Sequence, residues 1–338
     1  MIDVLVVDDS ALVRQIFTTL LTANGMSVRT AMDPLVAEKK IEERRPDVIV
    51  LDLEMPRMNG LTFLAKLSER DAIPVVICST LAGAGTQPAL RALELGAVEL
   101  IEKPRLGIRD FFEETSLTLV DAITAAAAAR VPIRRSPSVR LRSERLAWTT
   151  DKVVGIGAST GGTEALRQIL IAMPPNAPGI VVVQHMPERF TAAFARRLDE
   201  ECAIDVREAT PDERIRSGKA LIAPGNKHLA VVRSGAQYVV SLSSAPLVSR
   251  HRPSVDVLFR SLAEAAGRNA IGVLLTGMGA DGADGLLEMR HAGARTIAQD
   301  EATSVVFGMP REAILRGAAE QVMPLPRIGG AILGLTRH

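Results

Sequence analysis

The chain has 338 residues, 47% hydrophobic and 23% charged, a globular balance with length for two domains of roughly 100–200 residues each. Its 40 Lys and Arg against 39 Asp and Glu leave a net charge of +1, which argues against nucleic-acid binding through bulk charge; 8 Phe, one Trp and one Tyr are too few for a base-stacking platform. Two cysteines, Cys78 and Cys202, make no disulfide framework, no apolar run approaches the roughly 18 residues of a membrane span, and the Met-Ile-Asp start carries no signal peptide, so a soluble cytoplasmic protein with no membrane insertion is expected.

Residues 1–124 alternate short apolar runs with helical patterns. The runs are Ile2–Val7, Met26–Ala31, Asp47–Leu51, Pro74–Cys78 and Val98–Ile101, with helices expected between them, as at Ser10–Ala23 and Leu61–Leu67. Five strand–helix units predict a parallel, doubly wound sheet. Residues 125–150 read as a linker: an alanine run at 125–129, then Pro132, Pro137 and six arginines against one acid, Glu144. Residues 151–338 alternate again, with strands expected at Lys152–Gly157, Gly179–Gln184, Ala220–Ala223, Ala270–Thr276 and Arg295–Ala298. Helical patterns fall at Gly162–Ala172, Thr191–Glu200, Ser254–Ala266 and Gly282–Ala292, and His228–Val232 with Tyr238–Leu242 predict an antiparallel hairpin.

In an open parallel sheet the carboxyl ends of the strands share one edge, where ligands bind. In the first half that edge gathers Asp8 and Asp9 after strand one, Asp52 after strand three, Ser79 at the end of strand four and Lys103 after strand five. Clustered carboxylates repel one another, and a hard divalent cation with oxygen ligands relieves the repulsion. A carboxylate beside such a cation is also a phosphoryl acceptor, with Lys103 and Ser79 placed to bind phosphoryl oxygens.

These residues resemble the receiver domain of two-component response regulators, through Val-Asp-Asp-Ser at 7–10, Leu-Asp-Leu-Glu-Met-Pro-Arg-Met-Asn-Gly at 51–60, Ser79 and Lys103-Pro104. The resemblance implies a flavodoxin-like (βα)5 fold and phosphorylation of Asp52 by a chemotaxis sensor histidine kinase. It implies Mg²⁺ held by Asp9, Asp52 and the Glu54 carbonyl, with Asp8 nearby, and makes Ser79 the hydroxyl that follows the phosphoryl group. Leu100 stands where receivers often carry an aromatic residue, so the aromatic rotamer switch is expected to be absent or altered.

The second half begins Lys-Val-Val-Gly-Ile-Gly-Ala-Ser-Thr-Gly-Gly at 152–162, a G-x-S-x-G pattern between a strand and a helix, which is the context of a nucleophile elbow around Ser159. The competing dinucleotide fingerprint fails at its third glycine, which is Thr160, and at the acid expected near the next strand end, where Gln184-His185 stands. A serine nucleophile needs a base and an orienter. His185 ends the apolar strand at the same sheet edge, whereas His291 lies in a helical pattern and His338 is terminal. For the orienting acid, Asp281 in the glycine-rich run 274–282 is favoured over Asp256 in Arg-Pro-Ser-Val-Asp and over the helix-face Asp284. The chain order Ser–His–Asp argues against the common α/β-hydrolase fold.

That order, with Gln-His-Met-Pro at 184–187, Ala-Pro-Gly-Asn-Lys-His at 223–228, Arg-Pro-Ser-Val-Asp and Thr-Gly-Met-Gly-Ala-Asp-Gly, resembles the catalytic domain of the chemotaxis protein-glutamate methylesterases of CheB type. The resemblance implies a doubly wound hydrolase domain over 151–338, with no cofactor for its chemistry. It implies hydrolysis of γ-glutamyl methyl esters on methyl-accepting chemoreceptors, deamidation of receptor glutamines, and activation by phosphorylation. It makes Met278 the backbone candidate for the oxyanion and Arg252 a residue of the substrate groove. A hydrolase acting on another acyl substrate and a phospho-dependent binding module with a vestigial site stay open at this point. By segment the charge is uneven: −6 over residues 1–125, +5 over 126–150 and +2 over 151–338.

Overall fold

The computed structural model describes residues 1–55, 58–79, 86–103, 119–130 and 151–336. The chain forms two compact units, Met1–Ser136 and Pro137–His338, so the division falls inside the segment that composition marks as a linker. Most of that segment, with all its arginines but Arg130, lies outside the described residues, as do Pro104 and His338.

In the first unit β1 (Asp3–Val7), β2 (Ser27–Ala31), β3 (Val48–Asp52), β4 (Val75–Ser79) and β5 (Glu99–Glu102) alternate with α1 (Ala11–Ala23), α2 (Pro34–Glu43), α3 (Gly60–Arg70) and α4 (Thr86–Glu94). The sheet is parallel in the order β2-β1-β3-β4-β5, and every residue of β3 and β4 is buried, as strands covered on both faces require. Polar residues start the helices: Ser10, Asp33 and Asn59 each accept a backbone N–H of the first turn. Residues 119–127 form a further helix, α5, with Ile123, Ala125 and Ala126 buried. Residues 125–127, the first part of the alanine run, thus belong to this helix, since alanine has the highest helix propensity and fits a close contact.

In the second unit β6 (Val153–Ala158), α6 (Gly162–Ile171), β7 (Gly179–Gln184), α7 (Glu188–Glu201), β8 (Asp205–Glu208), β9 (Arg214–Ile215) and β10 (Lys219–Ile222) precede the hairpin β11 (His228–Ser234) and β12 (Gln237–Ser243). Then come α8 (Val255–Ala266), β13 (Ala270–Leu274), α9 (Ala283–His291), β14 (Arg295–Gln299), α10 (Met309–Leu315), β15 (Gln321–Met323) and α11 (Leu325–Leu335). Seven parallel strands run in the order β15-β14-β13-β6-β7-β10-β8, and β11-β12-β9 form a separate antiparallel sheet. The strand order reverses between β6 and β13, so their carboxyl ends flank the crevice where such sheets bind ligands.

The glycines of β6 have a packing role. A Cβ on Gly155 would collide with Leu262, and one on Gly157 with Val255, both on α8. They let α8 lie close against β6 and have no need of a dinucleotide. Among the described residues, no helix is long and apolar enough to cross a membrane.

Candidate active site

In the first unit the strand ends assemble an acidic pocket. Asp52 is the last residue of β3, Lys103 directly follows β5, and Lys103 Nζ lies 2.7 Å from Asp52 Oδ2 and 2.9 Å from Asp8 Oδ2. Asp8 and Asp52 are buried and Asp9 is exposed; ligand atoms of the three lie within 4.8 Å of one another. Asp8 Oδ1 accepts the Ser10 N–H, and the Arg14 guanidinium donates to the carbonyls of Asp8 and Asp9, which fixes the turn. Burial raises the Asp52 pKa, aided by the neighbouring Asp8 and opposed by Lys103. Burial pulls the Lys103 pKa down, but hydrogen bonds to Asp52 and Asp8 outweigh it and hold the ammonium above its ordinary range. Ser79 ends β4, buried, and its carbonyl accepts the Lys103 N–H at 3.0 Å. The Glu54 N–H donates to Asp52 Oδ1 at 3.3 Å. Leu100 is a buried aliphatic residue of β5.

In the second unit Ser159 and His185 are the residues after paired positions: Ala158 faces Gln184 across β6 and β7, and the His185 N–H donates to the Ala158 carbonyl. On the other side the Ser159 N–H donates to Thr276 O at 3.0 Å, and Leu274 pairs with Gly157. Asp281 arrives on the loop after β13. Its Oδ2 is 2.8 Å from His185 Nε2 and accepts the Val255 N–H at 2.7 Å; its Oδ1 accepts the Ser254 hydroxyl at 2.7 Å and the Asp256 N–H at 3.1 Å. Burial alone would raise the Asp281 pKa, but His185 and the donors at the start of α8 hold it down, to about 2. Arg-Pro-Ser-Val-Asp thus presents a helix N-terminus to a carboxylate.

Asp256 itself is turned away. Its Oδ1 accepts the Gly285 N–H at 2.8 Å and burial raises its pKa. Asp284 is paired with Arg316. His185 Nδ1 is buried and, among the described residues, has no hydrogen-bond partner.

Residues 154–332 match the CheB methylesterase family and residues 4–111 the response regulator receiver domain. The chain belongs to the CheB methylesterase family. It is 58% identical to protein-glutamate methylesterase/protein-glutamine glutaminase 5 of Anaeromyxobacter dehalogenans, over 99% of this chain and 96% of that one. It is 53% identical to protein-glutamate methylesterase/protein-glutamine glutaminase 3 of Geobacter metallireducens, over 99% of each. The catalytic domain of Thermotoga maritima CheB methylesterase superposes with a TM-score of 0.54 at 39% identity, covering 54% of this chain and 98% of that one.

Within this CheB-family chain the turn at Ser159 departs from the strained elbow that the G-x-S-x-G pattern suggests. The left-handed residue is Gly161, at φ 76°, and no positive φ falls on the serine. A Cβ on Gly161 would also meet Val305 at 2.5 Å. Gly277, the residue before Met278, comes equally close on the other side: its Cβ position is 2.6 Å from the Ser159 Cβ. Arg252 is engaged within the fold, donating to Asn226 Oδ1 and to the carbonyls of Ser244 and Ala245, so its groove role is not apparent from its contacts.

Three residues around the site carry no sequence signal of their own. Gln184 Nε2 donates to the carbonyls of both Ser159 (2.9 Å) and His185 (3.0 Å), clamping the two strand ends. Ser254 is an ordinary helix-start serine until its hydroxyl is seen on Asp281. His251 stacks on His185, ring centroids 3.7 Å apart and planes 16° from parallel. The cysteines lie outside this chemistry: burial raises both thiols, Cys78 far up and Cys202 to about 12, where neither is a nucleophile near neutral pH.

Proposed function

We propose that this chain is a phosphorylation-activated serine hydrolase that cleaves γ-glutamyl methyl esters on chemoreceptors, releasing methanol, and converts receptor glutamines to glutamates. The observation that carries the reading is the His185–Asp281 pair beside Ser159 at the strand-order reversal.

Ser159 Oγ attacks the side-chain carbonyl. His185 accepts the proton at Nδ1, because Nε2 is committed to Asp281. Asp281 stabilises the imidazolium that forms and holds the ring tautomer. The tetrahedral oxyanion faces backbone N–H groups at the Ser159 turn and at Met278. His185 then gives its proton to the departing methoxide or amide nitrogen, leaving a Ser159 acyl-enzyme. Water, deprotonated at the same Nδ1, cleaves the acyl bond, and the proton returns to Ser159.

In the receiver, Asp52 is the phosphoryl acceptor from a chemotaxis sensor kinase. Asp8, Asp9, Asp52 and the Glu54 carbonyl would hold Mg²⁺. The fit rests on the all-oxygen donor set and on Asp8 Oδ2 and Asp52 Oδ2, buried beside the Lys103 ammonium and without another hydrogen-bond partner among the described residues. Bound Mg²⁺ supplies charge neutralisation for the phosphoryl oxygens. Lys103 binds one phosphoryl oxygen and the Ser79 hydroxyl another.

The test is methanol release from methylated chemoreceptor with Mg²⁺, with and without a small phosphodonor. Wild type should release methanol faster with the donor, Ser159→Ala should release none, and Asp52→Asn should ignore the donor. Undiminished release by Ser159→Ala would overturn the reading.

A further inference from the structure

One hydrogen bond fixes one atom of His185. With Nε2 on Asp281 and Nδ1 without a hydrogen-bond partner among the described residues, no second hydrogen bond fixes the tilt of the ring plane. A change of tilt would move Nδ1, the atom assigned above to take the Ser159 proton. The face of His251 opposes it, 3.7 Å from the His185 ring and nearly parallel.

The backbone that delivers His251 is unusual. Val248 and His251 exchange both their backbone hydrogen bonds, at 3.2 and 2.9 Å, across a two-residue turn. Both turn residues, Ser249 at φ 52° and Arg250 at φ 64°, are left-handed, a conformation that favours Asn and Gly and strains other side chains. The strained turn ends directly on the ring that covers His185.

We propose that His251 is a positioning residue for the hydrolysis, a flat partner that keeps the His185 ring turned so that Nδ1 faces Ser159. This inference rests on the serine-hydrolase reading above. The groups facing His251 are His185 from the end of β7, Asp281 from the β13–α9 loop, and Arg250 from its own turn. Burial, then the charges of His185 and Arg250, pull its pKa down to about 3 against the pull of Asp281. A neutral His251 ring also attracts the imidazolium formed on His185 in turnover, so the contact persists through the cycle.

The experiment compares full-length wild type, His251→Phe, His251→Leu and His251→Gln, with Mg²⁺ and phosphodonor. Two readouts are used: kcat and KM on methylated chemoreceptor, and the rate at which a fluorophosphonate labels Ser159. Circular dichroism and melting temperature identify the variants that fold. Leu and Gln fill the space without a flat ring and should lower kcat and labelling about tenfold, with KM within twofold. Phe restores the ring and should recover both rates to within threefold of wild type. Folded Leu and Gln variants at the wild-type rate, or a folded Phe variant as slow as they are, overturn the positioning role. A change confined to KM does so as well, because it marks a substrate contact. A wild type inert to both the ester and the fluorophosphonate overturns the hydrolase reading itself.

Discussion

Asp281 receives three hydrogen bonds from residues 254–256 besides its contact with His185. A carboxylate so held is costly to neutralise and poorly replaced. Asp281→Asn should lower kcat roughly 10³–10⁴-fold, because an amide cannot hold the same imidazole tautomer or stabilise its cation. Ser254→Ala removes one donor to the charged group and should lower kcat about tenfold, the scale of a single charge-assisted bond. Asp256→Asn should leave kcat near wild type and lower the melting temperature, since its carboxylate ties α8 to α9 through the Gly285 N–H. Steady-state kinetics and thermal melts on the three variants separate these roles; an inactive Asp256→Asn that melts normally would reassign the acid. At this scale the chain was partly legible. Ser159, His185, Asp8, Asp52 and Lys103 stand at strand ends, where an apolar run stopping at a polar residue is a visible signal. His251 and Gln184 were not legible as partners, because a lone His in a turn and a Gln at a strand end have no spacing that announces a contact. Asp281 is preferred over Asp256 for its glycine-rich strand-end loop; that Asp281 and not Asp256 faces His185 is visible only in the structure.

Elements hold these side chains through close approaches that admit no side chain between them. Gly277→Ala should displace Ser159, since the new Cβ falls 2.6 Å from the Ser159 Cβ and also against the Met309 sulfur. A shift approaching an ångström there should lower kcat about 10²-fold while the fold survives, measurable as lost activity with a retained cooperative melt. Burial of neutral His251 gives the second unit a pH signature. Its ordinary pKa of 6.5 falls to about 3 on folding, so the unfolded chain binds the extra proton between those values. Stability from this group is complete above about pH 6.5 and declines as pH falls toward 3, by about 1.4 kcal/mol per pH unit at most. Asp281, depressed from 3.8 to about 2, adds a further loss only below pH 3.8. Denaturant unfolding at stepped pH should show His251→Phe with a flatter profile between pH 6.5 and 4 than wild type; equal slopes would refute the assignment. Long apolar strands were the legible elements. β8 is short and polar, β9 and β15 are only two and three residues long, and α11 follows a proline-broken stretch, so pattern alone did not mark them. Composition left the alanine run open between tether and partial helix; residues 125–127 are helical because their small side chains suit close packing.

Across the whole molecule the near-neutral total conceals an acidic stretch, −6 over residues 1–125, followed by a segment of +5 over 126–150. A phosphoryl group on Asp52 would deepen that acidity where the half-buried Lys103 ammonium already lies between two carboxylates. Lys103 is the counter-ion of that place, within 3 Å of both Asp8 and Asp52. Lys103→Gln removes the positive charge while keeping a polar side chain. It leaves Asp8 and Asp52 to repel each other and takes away the cation proposed to bind the phosphoryl oxygens. The expected result is a stimulation ratio, methanol release with phosphodonor over release without it, that falls toward one. Chelating Mg²⁺ in wild type should lower the same ratio, since the three carboxylates then lack the cation that balances an incoming phosphate. Ser159→Ala behaves differently and loses release under both conditions. A Lys103→Gln chain that still responds to phosphodonor as wild type does would break the link between this pocket and the hydrolase.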